Sequence, residues 1–427
     1  MRVAFVTLGC KVNQDETAGM EELFRRAGWT AVGFDQPADV YIVNTCTVTH
    51  LASRKSRQML RRARRLNPGA LVVALGCYPQ AAPGELEQLP QVDIVAGNKA
   101  KPEIVQLVQQ ALAGGEVEIK DLSGFFTLPV AGGRDRHRAF LRIQDGCRNF
   151  CTYCIVPTAR GELGSMPPAE VVARVGQLEE KGYREIVLTG INLSSYGRET
   201  GHYDLASLLD MLKHGPARIR ISSMEPHDLD QPLLEAIAGN PRICQHFHIP
   251  LQSGSDNVLA NMGRRYSSRD YLDLVEELRQ RFDCPGISTD IIVGFPGESE
   301  EDFAATRELV KKVEFARIHV FRFSPRPGTP AAGLPQKVDD QISANRSRLL
   351  IELGEEVAAE YAAGLKGRRE QLLVEADSDL VDGVAGYGSR YLRIHCRCAA
   401  AAGELVDVRI SGIQGSDLLA EAVEKQL

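Results

Sequence analysis

The chain has 427 residues, 44% of them hydrophobic and 25% charged, with a formal net charge of -6. That length suggests two or three domains, each with ample apolar material for a core, and the charge excludes a bulk polycation, so any nucleic-acid contact must come from local basic patches. Ten cysteines in so long a chain do not make a short secreted disulfide scaffold, and no apolar run approaches the roughly 20 residues of a transmembrane helix.

The opening run MRVAFVTLGC reads as a first core strand, over 2–8, rather than a leader peptide, which makes a reducing cytoplasm the expected location. Residues 13–27 follow as an amphipathic helix with Met20, Leu23 and Phe24 on one face. Residues 40–43 read as a short buried strand, 50–66 as a basic helix stopped by Asn67-Pro68-Gly69, and 71–75 as the next strand. A strand over 92–95 and a helix over 102–113 close the series. Such alternation predicts an open parallel sheet with helices on its faces. Cys10, Cys46 and Cys77 each lie just beyond the C-terminal end of one of these strands, and those ends share the edge where such sheets bind ligands. The three can converge as one thiolate set; three separate buried cysteines are the plain alternative.

A linker rich in Gly and Arg, over 123–138, leads to a second α/β series. Strands are predicted over 139–144, 185–189, 218–222, 246–249, 288–293 and 317–323, and helices over 168–181, 205–213, 232–238, 268–282 and 300–313. Six such units suggest a partial (β/α)6 barrel, whose chemistry belongs at the C-terminal ends of its strands. Just after the first of these strands comes C-x3-C-x2-C, formed by Cys147, Cys151 and Cys154. Three thiolates can hold three irons of a [4Fe–4S] cube and leave the fourth open to a ligand that is not protein. A structural zinc site wants four closed ligands, and no second C-x2-C or H-x3-H completes one. Loops at 189–192, 222–226, 249–255 and 294–298, with Asp290, predict a pocket on the same face. From about residue 365, alternating strands at 370–375, 391–396 and 406–410 predict a small β-barrel. Cys396 and Cys398 are expected two apart on one strand face as core residues, with Cys244 and Cys284 in cores as well. The expected domains are 1–122, 123–364 and 365–427.

C-x3-C-x2-C with Tyr153 just before its last cysteine resembles the radical S-adenosylmethionine (SAM) superfamily. The runs TLGCKVNQDET, NTCTV, LGCYPQ, IPLQSGSD and DIIVGFPGE are similar to those of its methylthiotransferases, in order and over essentially the whole chain. The small C-terminal barrel is similar to their TRAM domain, an RNA-binding module. Lys11-Val12-Asn13 with Glu16-Thr17 resembles the subgroup acting on N6-threonylcarbamoyladenosine at tRNA position 37. Isopentenyladenosine enzymes usually show Gln-Met-Asn here, and those modifying an aspartate of a ribosomal protein Pro-Lys-Asn. Asp15 stands where the threonylcarbamoyl subgroup often has an aromatic residue.

The resemblance implies two [4Fe–4S] clusters. Cys147, Cys151 and Cys154 would hold the one whose open iron binds SAM and whose electron cleaves it to a radical that takes hydrogen from C2 of the adenosine. Cys10, Cys46 and Cys77 would hold the other, which carries the sulfur that is methylated and transferred. For the SAM pocket it points to Tyr153, Gly190, Glu225, Asp290 and Val293. Its implied partners are tRNA and an electron donor. For RNA, Arg54, Lys55, Arg57, Arg61, Arg62, Arg64 and Arg65 lie on the helix after Cys46. A basic helix is usually a solvated face, but this one starts beside a proposed cluster, where phosphate contacts would serve. Arg134, Arg136 and Arg138 in the linker form a second candidate patch. The alternative of a different class is a non-enzymatic iron–sulfur RNA-binding protein, which has no use for an open-iron triad on a barrel face.

Overall fold

The computed structural model describes residues 1–115, 124–131, 137–377 and 383–423. Its first part is a parallel sheet of β1 (Arg2–Thr7), β2 (Thr30–Val32), β3 (Val40–Thr45), β4 (Leu71–Gly76) and β5 (Ile94–Ala96), in the order β2-β1-β3-β4-β5. Helices α1 (Lys11–Arg26), α2 (His50–Leu66), α3 (Cys77–Ala81), α4 (Pro83–Glu87) and α5 (Ile104–Leu112) connect and cover it. Side chains alternate across a strand, so β3 feeds two cores. Val40 and Ile42 pack with Met20 and Phe24 of α1 and with Leu107 of α5. Tyr41 and Val43 pack with Leu60 of α2, Tyr78 of α3 and Leu86 of α4. The strand order reverses between β1 and β3, and a doubly wound sheet opens a crevice at such a point. Cys10 and Cys46 lie just past the two strands that flank it.

The second part begins with β6 (Arg138–Arg142). A short antiparallel pair, β7 (Gln144–Asp145) and β8 (Gly164–Ser165), brackets the cysteine loop and α6 (Val156–Arg160). There follow α7 (Pro168–Glu180), β9 (Glu185–Thr189), α8 (Leu205–Met211), β10 (Arg218–Ile221), α9 (Gln231–Ala238), β11 (His246–His248), α10 (Asp256–Asn261), α11 (Ser268–Arg281), β12 (Gly286–Val293), α12 (Glu300–Val313) and β13 (Arg317–Arg322). β6, β9 and β10 form one parallel set and β11, β12 and β13 another, joined by parallel bridges at Ile219–Ile243 and Ser223–His248. Six parallel strands therefore curve into the (β/α)6 half-barrel that the sequence predicted. Its open side is covered at one edge by α1 against β6 and at the other by α13 (Asp340–Ala363) against β13. The predicted strand 139–144 breaks at Ile143, because Gln144 and Asp145 leave the sheet to pair with β8.

The third part is a closed barrel of β14 (Arg369–Asp377), β15 (Val384–Tyr387), β16 (Arg393–Arg397), β17 (Leu405–Gln414) and β18 (Asp417–Ala422), ordered β14-β15-β16-β18-β17. β15 and β18 were not predicted; VAGY and DLLAEA carry small residues and no clean polar alternation. Cys396 is buried as expected, but Cys398 lies past the end of β16 and is half-buried. Cys244 is buried, whereas Cys284 is half-buried with a left-handed φ of 47°. The turn between β15 and β16 plugs the half-barrel from below. Buried Arg220 donates to the carbonyls of Ser389 (2.8 Å) and Gly388 (3.0 Å), and Arg218 to that of Tyr387 (2.8 Å). No helix among the described residues is long and apolar enough to cross a membrane.

Candidate active site between two thiol triads

Cys147, Cys151 and Cys154 sit on the loop between β7 and α6, at the C-terminal mouth of the half-barrel. Gln144 pins the root of that loop. Its Nε2 donates to the carbonyls of Asp145 (2.7 Å) and Gly146 (2.8 Å), while its Oε1 accepts the backbone N–H groups of Ile191 (2.8 Å) and Asn192 (2.9 Å). Gly146 has φ 73°, and a Cβ there would lie 1.9 Å from the Glu162 carbonyl oxygen, so only glycine fits. Further along, the Thr152 N–H donates to Met262 O at 2.9 Å. Burial pushes the Cys154 thiol up to about 12, and its neighbours Cys151 and Cys147 add to the shift; burial likewise takes Cys147 to about 11. Arg264 Nη1 lies 3.2 Å from Cys151 Sγ, and the same guanidinium pairs with Glu225. Tyr153 packs beside Phe295.

Cys10, Cys46 and Cys77 each lie just past one of three neighbouring parallel strands. Cys10 caps α1 after β1, Cys46 follows β3, and Cys77 opens α3 after β4. Burial pushes Cys46 up to about 12, with Cys77 and Cys10 close enough to raise it further. Gly9 (φ 100°) permits the approach, since a Cβ there would lie 2.8 Å from Cys46 Cβ. Asn13 Nδ2 ties two of the loop roots by donating to Leu8 O (2.7 Å) and Thr45 O (3.1 Å). Among the described residues no three Cys, His or carboxylate side chains gather around a single metal position. A cubane asks for something else, one soft thiolate on each of three irons, and both triads offer that donor set.

A buried charge network joins the triads, and sequence reading missed it. Arg160, at the end of the helix after Cys154, donates to Glu16 Oε1 (2.6 Å), Asp145 Oδ2 (3.2 Å) and Asn13. Glu16 also pairs with Lys101, whose ammonium donates to Asn98 Oδ1 (2.6 Å), and Asn98 Nδ2 lies 3.7 Å from Cys77 Sγ. Burial alone would raise the Glu16 carboxyl, but Arg160, Lys101 and Arg142 outweigh it and hold it at about 2. The available signal was polar Asn13 and Glu16 recurring at helical spacing directly after Cys10.

A cavity of about 450 Å³ opens in the half-barrel beside Cys10. Of the residues predicted for SAM, Gly190 and Asp290 line it, Glu225 and Tyr153 lie by the Cys151 loop, and Val293 is fully buried in the half-barrel core. Asp290 lies 3.3 Å from His248 Nε2. Burial, then Arg220 and Arg138, lower Lys11 on the cavity wall to about 8. Two of the predicted pocket loops instead hold the fold. Gln252 exchanges main-chain hydrogen bonds with Asp290 and Ile292, and Glu298 accepts from Gly294 N–H and Arg346, both at 2.7 Å. A polar, glycine-bearing loop reads the same whether it binds a ligand or its own neighbours.

On α2 the seven basic residues divide. Arg54, Lys55, Arg61 and Arg65 are exposed. Arg57 bonds Tyr78, Arg62 pairs with Asp35, and Arg64 pairs with Asp93 at 2.6 Å. Arg138 is not a surface cation: it is buried, paired with Glu375 and 3.7 Å from Glu185. Arg134 and Arg136 lie outside the described residues.

A parallel half-barrel with three cysteines on the loop at its mouth defines an α/β protein whose candidate site lies at the C-terminal ends of its strands. Residues 141–310 match the model of the radical SAM superfamily, and residues 2–97 that of uncharacterized protein family UPF0004. The chain is 40% identical over 403 residues to threonylcarbamoyladenosine tRNA methylthiotransferase MtaB of Bacillus subtilis, covering 92% of this chain and 89% of that protein. It is 34% identical over 388 residues to tRNA-2-methylthio-N(6)-dimethylallyladenosine synthase of Pelotomaculum thermopropionicum, covering 88% and 86%. The solved structure of the radical SAM methyltransferase TsrM from Kitasatospora setae, with tryptophan and aza-SAM, shares the fold at TM-score 0.58 and 16% identity, over 90% of this chain and 79% of that one. The chain belongs to the radical SAM methylthiotransferase family. Membership implies a [4Fe–4S] cluster and SAM as cofactors.

Proposed function

We propose that this protein adds a methylthio group to C2 of N6-threonylcarbamoyladenosine at tRNA position 37, giving 2-methylthio-N6-threonylcarbamoyladenosine. The observation that carries this substrate is the whole-chain likeness, 40% to the relative named for it against 34% to the one named for the dimethylallyl substrate.

In this reading Cys147, Cys151 and Cys154 hold one [4Fe–4S] cluster and Cys10, Cys46 and Cys77 a second. When bound, the two supply the electron that cleaves SAM and the sulfur that is transferred. The chain's own residues orient and enclose. Gln144 fixes the cysteine loop to the end of β9, and Arg264 holds Glu225 beside Cys151. The Arg160–Glu16–Lys101 network locks the two triads together and keeps water from between them. Tyr153, Gly190, Glu225 and Asp290 serve SAM, with Val293 acting through the packing beneath. The division of labour follows 1–122, 123–364 and 365–427: sulfur site, radical site and a TRAM-like RNA-binding barrel. tRNA approaches along Arg54, Lys55, Arg61 and Arg65, in the cytoplasm, and a separate donor supplies electrons.

Nucleoside mass spectrometry of tRNA tests the reading, using a strain without the gene and the same strain with it restored. The methylthio-threonylcarbamoyl nucleoside should vanish, with its unthiolated precursor accumulating, and return on restoration. Loss of the methylthio-dimethylallyl nucleoside in its place would assign the other substrate.

A further inference from the structure

The cavity beside Cys10 carries charge that the chemistry above leaves unused. On β13, alternate residues Arg317, His319 and Phe321 face the cavity, in register with Ser288, Asp290 and Ile292 of β12. The histidines and the acid are engaged: His246 Nε2 and His248 Nδ1 meet the Ser288 hydroxyl at 2.9 and 3.0 Å, and His248 meets Asp290. The two cations have no anionic partner. Lys11 reaches in from the first turn of α1 to 5.4 Å from the Tyr391 ring centre, and Arg317 is exposed at the start of β13. Neither makes an ion pair or hydrogen bond with a described residue. On the same walls Ser222 Oγ and His246 Nδ1 are buried with no hydrogen-bond partner among the described residues. Buried polar groups are normally satisfied, so two cations without an anion and two orphaned polar atoms around one chamber mark the place of an anionic, hydrogen-bonding ligand.

We infer that Lys11 and Arg317 bind the carboxylate of the substrate's threonylcarbamoyl group and so select it over a dimethylallyl group. The inference rests on the substrate reading given above. A threonylcarbamoyl substituent brings one carboxylate, one hydroxyl and a carbamoyl group; a dimethylallyl substituent is a hydrocarbon that would strand both cations and both orphaned atoms. Cys10 lines the same cavity, so the reacting adenosine and the two cations share one chamber. The other carboxylate at hand is the methionyl group of SAM, and the test separates the two.

Three anticodon stem-loop RNAs, identical except at the target base, serve as probes: threonylcarbamoyladenosine, its methyl ester, and dimethylallyladenosine. The wild-type protein, clusters reconstituted, should bind the free acid about tenfold more tightly than the ester, the size of one charge-assisted contact. Lys11→Gln and Arg317→Gln should each bring that ratio toward one, Lys11→Arg should keep it, and SAM affinity, measured by calorimetry, should not move. A ratio that survives in both Gln variants overturns the inference, as does one lost equally in Lys11→Arg, or weakened SAM binding with the ratio intact. A wild-type protein that prefers a dimethylallyl stem-loop overturns the substrate reading itself, and with it this inference.

Discussion

The two thiol triads are built in opposite ways. Cys147, Cys151 and Cys154 share one loop, shaped by Gly146 and anchored by Gln144. Cys10, Cys46 and Cys77 follow three separate strands and come near one another only because β1, β3 and β4 are parallel neighbours ending at one edge. The first site is local, while the second is a property of the whole sheet. Local sites tolerate distant change, whereas assembled ones depend on packing and on the contacts that hold two domains in register.

The largest expected effect comes from breaking the local site. Cys151→Ala should abolish both SAM cleavage and product, by at least about 10³-fold, or some 4 kcal/mol of barrier, measured as 5′-deoxyadenosine and methylthio nucleoside; persistent cleavage would place the radical site elsewhere. Next is the joint between the triads. Glu16→Gln leaves Lys101 buried without an anion and Arg160 with Asp145 alone, and should cost about 3–5 kcal/mol in denaturant unfolding; a loss below about 1 kcal/mol would show that the network does not hold the domains. A smaller effect concerns RNA. Replacing Arg54, Lys55, Arg61 and Arg65 together by Ala should lower the log–log salt slope of tRNA binding by up to about 3–4, at roughly 0.7–0.9 per phosphate contact. An unchanged slope would move the RNA path off α2.

The smallest concerns Asp15, on the same helix as Glu16. Burial raises its carboxyl to about 6, against the pull of Arg142. A folded pKa above the unfolded one means the native state holds the proton more tightly. Stability is therefore gained as pH falls from above 6 toward 4, and the ionised form is a cost at higher pH. Asp15→Asn should stabilise the protein at pH 8 by about 1–2 kcal/mol and do little near pH 4. Destabilisation at pH 8 would mean that the carboxylate makes a net favourable contact with Arg142.

Legibility in the sequence followed the same division. The C-x3-C-x2-C loop needs only spacing to be read. The placement of Cys10, Cys46 and Cys77 after strands was readable because buried parallel strands are near-continuous apolar runs, so the three strand ends could be counted. The Arg160–Glu16–Lys101 network was not readable, since its members lie on α1, on α6 and before α5, and nothing local distinguishes Lys101 from a surface lysine. Val293 shows the converse: its motif pointed to the pocket, but its side chain completes the core. Arg57 and Arg64 stand seven apart on α2, facing Tyr78 and Asp93, while Arg54, Arg61 and Arg65 form another stripe; composition alone cannot sort such faces.

The central claim is that the two triads hold separate clusters with separate tasks. A variant with Cys10, Cys46 and Cys77 all changed to Ala, reconstituted alongside the wild type, tests it in one experiment. It should bind about four irons per chain where the wild type binds about eight, and it should still cleave SAM while forming no methylthiolated tRNA. Undiminished iron, or methylthiolated product from that variant, would contradict the account.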